Sequence, residues 1–166
     1  VFQAFSLIRN ILFLKPGPGK VINPYLYLMA RIMAIDYGSK RVGLAVTDPL
    51  QIIASGLTTV HSKDLIAYLE EYLKKEQVEC IVVGEPKTLQ NEASDSARYI
   101  DPFVTHLTRK FPHIKIARYD ERFTSAMAHQ TMLMGGLKKK ARANKDTVDM
   151  VSATIILQDY LSFMGK

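Results

Sequence analysis

Three carboxylates fall where the sequence predicts elements to begin or end, rather than on solvated faces. Asp36 closes an apolar run that starts at Arg31. Glu121 follows the alternating stretch "IKIARY" (114–119), and Asp149 lies in the first turn of an amphipathic segment near the C-terminus. Acids gathered at strand ends and at a helix start repel one another unless a cation neutralises them. Hard, oxygen-liking cations such as Mg²⁺ or Mn²⁺ suit such a set and keep open positions for a phosphate. Two of them about 4 Å apart can stabilise both the attacking and the leaving oxygen of a phosphodiester displacement. Each acid also has a plainer use. Asp36 could be a turn residue or part of a phosphate-binding loop, Glu121 could pair with Arg118 or Arg122, and Asp149 could simply favour a helix N-terminus. Sequence spacing alone does not bring the three together.

The cations are distributed unevenly. The 166 residues carry 22 Lys and Arg against 16 Asp and Glu, a net +6. Arg9, Lys15 and Lys20 fall in the first thirty residues, which hold no acid, so the remainder carries only a mild excess. Lys138, Lys139, Lys140, Arg142 and Lys145 crowd into eight positions, a cluster that could neutralise phosphates or form a solvated loop. His61, His106, His113 and His129 show no metal-ligand spacing. Cys80, the single cysteine, sits in the apolar run "ECIVVG" and reads as a buried, inert thiol with no disulfide partner. A reducing, cytoplasmic setting fits this usage.

The elements that must position these residues follow from periodicity. "RIMAI" and "VGLAVT" flank the Gly-bearing "DYGSKR" and predict a hairpin, with "GLTTV" (56–60) as a third strand. "SKDLIAYLEEYLKKEQ" places Leu65, Ile66, Leu69, Tyr72 and Leu73 on one helical face, with Ser62 as N-cap. "ECIVVG" (79–84) predicts a strand buried on both faces. "SARYIDPFVTHLTRKF" (96–111) predicts a helix that either kinks at Pro102 or starts there, with Asp101 as its N-cap. "IKIARY" is a fifth strand, "TSAMAHQTMLM" a helix closed by Gly135 and Gly136, and residues 147–164 a final helix. A three-stranded antiparallel meander followed by strands alternating with helices makes one α/β domain with a mixed sheet flanked by helices. With 48% apolar and 23% charged residues the composition is ordinary for a globular chain.

Four blocks give this order a family. "DYGSKRVGLAVTD" fits D-x-G-x-x-R-x-G-x-A-x-x-D through Asp36, Gly38, Arg41, Gly43, Ala45 and Asp48. It is followed in order by "IVVGEP" (81–86), "DERFTS" (120–125) and "VDMVSATIILQ" (148–158). Across about residues 30–163 the chain resembles the YqgF/RuvX family, RNase H-like proteins described as pre-16S rRNA nucleases and related to Holliday junction resolvases. The resemblance implies an RNase H-like fold, with a five-stranded sheet of an antiparallel 1-2-3 meander plus two parallel strands. It also implies a divalent-metal phosphodiesterase site with Asp36, Glu121 and Asp149 as catalytic metal ligands. Arg41 and Arg122 would hold phosphate, and Lys138, Lys139, Lys140, Arg142 and Lys145 would grip the nucleic-acid backbone. One departure stands out: Glu85 replaces the apolar residue usual after "VVG". Resolvases of the wider fold carry a catalytic glutamate at the end of that strand, which makes Glu85 either a fourth ligand, a substitute for Glu121, or a solvated loop acid.

The resemblance favours an endonuclease that matures the 5′ end of pre-16S rRNA. A resolvase of four-way DNA junctions is the alternative, and a non-catalytic nucleic-acid-binding module a further one. An actin-like ATPase, which also uses D-x-G after a first strand, needs two large lobes and is excluded by length. Residues 1–28 differ from the rest: apolar, but broken by Arg9, Lys15 and "KPGPGK". No run there approaches the roughly 20 residues of a membrane helix, and no signal-peptide pattern fits. "MARIMAIDYG" reads as a natural start at Met29, so the expected organisation is an extension over 1–28 and a single nuclease domain over 29–166.

Overall fold

The computed structural model describes residues 30–85, 97–120 and 144–165. The 1–28 extension, the helix predicted after Thr124 and most of the basic cluster lie outside them. The described elements run β1 (Arg31–Tyr37), β2 (Arg41–Thr47), β3 (Ala54–His61), α1 (Leu65–Leu73), β4 (Val78–Glu85), α2 (Ala97–Lys110), β5 (Lys115–Asp120) and α3 (Lys145–Phe163). The strands form one sheet in the order β3-β2-β1-β4-β5. β1, β2 and β3 pair antiparallel, whereas β4 runs parallel to β1 and β5 parallel to β4. The mixed topology expected from the sequence is present.

Side-chain alternation divides the core into two layers. Met33 and Ile35 of β1, Val42 and Leu44 of β2, and Ile81 and Val83 of β4 face one way. They pack on Leu65 and Leu69 of α1 and on Ile100, Phe103 and Leu107 of α2. Ile32, Ala34, Ala45, Cys80 and Val82 face the other way, onto Ala153, Ile156, Leu157 and Tyr160 of α3. The α3 layer is lined with small residues, and two glycines carry this furthest. A Cβ on Gly43 would lie 1.9 Å from the Asp149 carbonyl oxygen, and one on Gly56 would lie 2.7 Å from Met150 Cγ. The N-terminal half of α3 therefore rests directly on the backbone of β2 and β3, closer than any side chain allows.

One local boundary differs from the sequence expectation, and the structure decides a second between the two readings left open. Ser62 does not cap α1: residues 62–64 form a 3₁₀ turn in which the His61 side chain accepts from Lys63 N–H, and Asp64 precedes the helix. Ser62 is spent on the β1–β2 hairpin instead, its hydroxyl donating to the Ser39 carbonyl (2.9 Å) and its N–H to that of Lys40 (3.1 Å). α2 does not begin at Asp101 but runs through Pro102 from Ala97.

Candidate active site

Alternation along β1 decides where Asp36 points. It shares the α3 face with Ile32 and Ala34, while its neighbour Tyr37 stacks on Phe103 of α2 with ring centroids 4.2 Å apart. Asp36 lies across the antiparallel ladder from Gly43, the same glycine whose missing side chain admits the Asp149 backbone. One close approach thus delivers the first turns of α3 to the end of β1. The electrostatics show the result: the Asp36 carboxyl is pushed up to about 7, first by burial and then by the negative charge of Asp149. Among the described residues Asp36 has no hydrogen-bonding or ion-pair partner for its side chain.

Asp149 is held from the opposite side. Arg41 Nε donates to Asp149 Oδ2 at 2.8 Å and lies 3.4 Å from Asp146 Oδ1. Asp146 and Asp149 are spaced i, i+3 on α3 and so share a face, which lets one guanidinium meet both. The helix start is fixed by Asn144, whose side chain accepts from Asp146 N–H, and by the Thr59 hydroxyl, which donates to the Asp146 carbonyl (2.7 Å). Gly38 closes the hairpin tightly: its N–H donates to the Arg41 carbonyl (3.0 Å), and a Cβ there would lie 2.6 Å from that oxygen. The hairpin and α3 together enclose an open cleft of about 230 Å³ lined by Gly38, Ser39, Lys40, Arg41, Lys145 and Asp149.

Asp36, Asp149, Arg41 and Lys145 therefore come together. Glu85 does not. Alternation sets it with Ile81 and Val83 on the α1/α2 face, where Arg118 Nη2 lies 3.1 Å from Glu85 Oε1 and Arg118 Nη1 lies 2.7 Å from Asp101 Oδ1. The sheet separates it from Asp36, and an arginine neutralises it. Asp48, the last acid of the first block, also stands apart. It accepts from the N–H groups of Leu50, Ile52 and Ile53 and thereby fixes the β2–β3 turn, bonds that hold its carboxyl below the usual carboxylate range. Glu121, Arg122, Lys138, Lys139, Lys140 and Arg142 lie outside the described residues. Among the described residues no three His, Cys, Asp or Glu side chains gather as a metal set. Sequence reasoning missed Asp146 and Lys40, although the D-x-x-D spacing in "DTVD" and the Lys beside Arg41 were both visible.

The family model described as "RuvX: Holliday junction resolvase" matches residues 30–163. The chain belongs to the RuvX family. Among curated RuvX relatives, the protein named "Putative pre-16S rRNA nuclease" from Flavobacterium johnsoniae is 58% identical over 134 residues, 81% of this chain and 97% of the relative. One of the same name from Phocaeicola vulgatus is 59% identical over 133 residues, 80% of this chain and 96% of that one. The solved structure of T. thermophilus RuvC in complex with Holliday junction substrate matches at a TM-score of 0.53 and 17% identity, covering 82% of this chain and 97% of that one. At that identity the likeness bears on fold, and the fold of this RuvX chain is RNase H-like.

The donors that remain fit a divalent cation. The Asp36 carboxylate is partly buried and unpartnered among the described residues, and it faces a second carboxylate whose charge raises its pKa. Two adjacent hard oxygen donors of like charge are stabilised by Mg²⁺ or Mn²⁺ more than by any soft metal.

Proposed function

We propose that this RuvX-family protein is a divalent-metal-dependent endonuclease that hydrolyses phosphodiesters in structured nucleic acid, with the 5′ end of pre-16S rRNA as its substrate. The observation that carries the reading is the facing pair Asp36 and Asp149, with no partner on Asp36 among the described residues. The rRNA assignment is supported by the names of the curated relatives, which match over nearly their whole length.

Within this reading Asp36 and Asp149 hold the cation, and Glu121 completes the set as the third ligand. The β5 positions on the α3 face are Ala117 and Tyr119, and Glu121 is the next odd position in the sequence. When bound, Mg²⁺ or Mn²⁺ supplies activation of the attacking water and stabilisation of the departing 3′ oxygen. Arg41 keeps the Asp149 carboxylate aimed by occupying one of its oxygens. Arg122 and the cluster of Lys138, Lys139, Lys140, Arg142 and Lys145 contact backbone phosphates, which fixes register without reading sequence.

Cleavage of four-way DNA is the second reading, favoured by the description of the matching family model. The two are separated by incubating the protein and Asp36→Asn with a precursor rRNA fragment and with a four-way DNA junction, each with Mg²⁺ or Mn²⁺. Cleavage of the rRNA by the unmodified protein alone is expected. Cleavage of the junction alone reverses the substrate, equal cleavage by both proteins discards the Asp36 assignment, and no metal-dependent cleavage leaves a nucleic-acid-binding module.

A further inference from the structure

The cleft beside Asp149 has a wall that the carboxylate pair does not use. Lys40, from the β1–β2 hairpin, and Lys145, the first residue of α3, line it together. Both are exposed, and among the described residues neither side chain makes an ion pair or hydrogen bond. The third cation of the cleft, Arg41, is committed to Asp149 and Asp146.

Fold stability explains neither lysine. The first residue of a helix faces the positive end of the helix dipole, where a cation is disfavoured. Lys145 sits there without gaining Asp149, four residues on, as a partner. Lys40 lies in a connection whose carbonyls are tied to Ser62 and whose entry is closed by Gly38 against the Arg41 carbonyl. That bracing sets the place from which its side chain reaches. A polyanion brought to two carboxylates is also repelled by them, and cations beside the pair offset that repulsion.

We propose that Lys40 and Lys145 form a phosphate subsite, gripping the backbone phosphate next to the one presented to Asp36 and Asp149. This rests on the nuclease reading of that pair. It makes Arg41 a positioning residue for Asp149, and it gives the phosphate contact expected of Arg41 to the lysine that precedes it.

The salt dependence of binding tests this without any cleavage. The full chain is titrated with a fluorescent precursor rRNA fragment in EDTA, from about 50 to 200 mM salt. The slope of log K against log salt falls in magnitude by about 0.9 for Lys40→Ala and again for Lys145→Ala if the gripped backbone is duplex, or by about 0.7 each if it is single-stranded. The control Lys74→Ala, at the C-cap of α1 and paired with Glu71, keeps the original slope. Thermal midpoints of Lys40→Ala and Lys145→Ala stay at or above that of the unmodified protein. Unchanged slopes in both variants, with cleavage by the unmodified protein intact, overturn the subsite alone. Absence of salt-dependent binding by the unmodified protein overturns the subsite, and absence of metal-dependent cleavage as well overturns the nuclease reading with it.

Discussion

Asp36 carries the sharpest consequence at the scale of single residues. Its carboxyl titrates at about 7 in the folded protein against an ordinary 3.8, so between these values the native state binds more protons than the unfolded chain. Stability then falls as pH rises through that window. In EDTA the thermal midpoint is predicted to drop from pH 5 to pH 8, and Asp36→Asn to flatten that drop, as melting curves at the two values would show. Cation binding requires the deprotonated carboxylate, so Mg²⁺ affinity is predicted to rise with pH up to about 7 and then level. Arg41 acts in the opposite sense by neutralising Asp149. The pair is partly exposed, so Arg41→Ala is predicted to cost about 1 kcal/mol or less at pH 8 in EDTA, measured by urea denaturation. A larger loss would mean that Arg41 holds more than Asp149 and Asp146.

Elements explain why those residues meet. Gly43 admits the α3 backbone at a distance that no side chain permits. Gly43→Ala is predicted to cost about 1–3 kcal/mol through overpacking and to weaken cation binding as α3 lifts from β2. Calorimetry of folding and of Mn²⁺ binding on the same variant checks both. Glu85→Gln, on the far face with Arg118, is predicted to leave cation binding unchanged. The strands and the mixed character of the sheet were legible in the sequence because apolar runs, turn residues and the alternation of strands with helices mark them; the order of the strands was read only from the structure. The face of Glu85 was not legible, since β4 is apolar on both sides and gives alternation nothing to contrast. Ser62 and Asp101 both looked like helix caps. What a cap residue bonds depends on which chain passes nearby, and for Ser62 that is the hairpin at Ser39 and Lys40.

For the whole molecule, the site draws on strands and a helix separated by more than a hundred residues in sequence. Periodicity could place Asp36 and Asp149 at element ends but could not make them converge. The four motif blocks supplied that expectation, and the sheet topology with α3 over Gly43 is its physical cause. Among the described residues no helix is long and apolar enough to cross a membrane, and the cleft lies between the connection that follows β1 and the start of α3.

Cation binding by the pair is the most direct test of the central claim. Mn²⁺ titrated into the full chain, followed by calorimetry, is predicted to bind the unmodified protein and to lose most of that affinity in both Asp36→Asn and Asp149→Asn. Binding of equal strength in all three proteins would contradict the assignment of this carboxylate pair as the metal site.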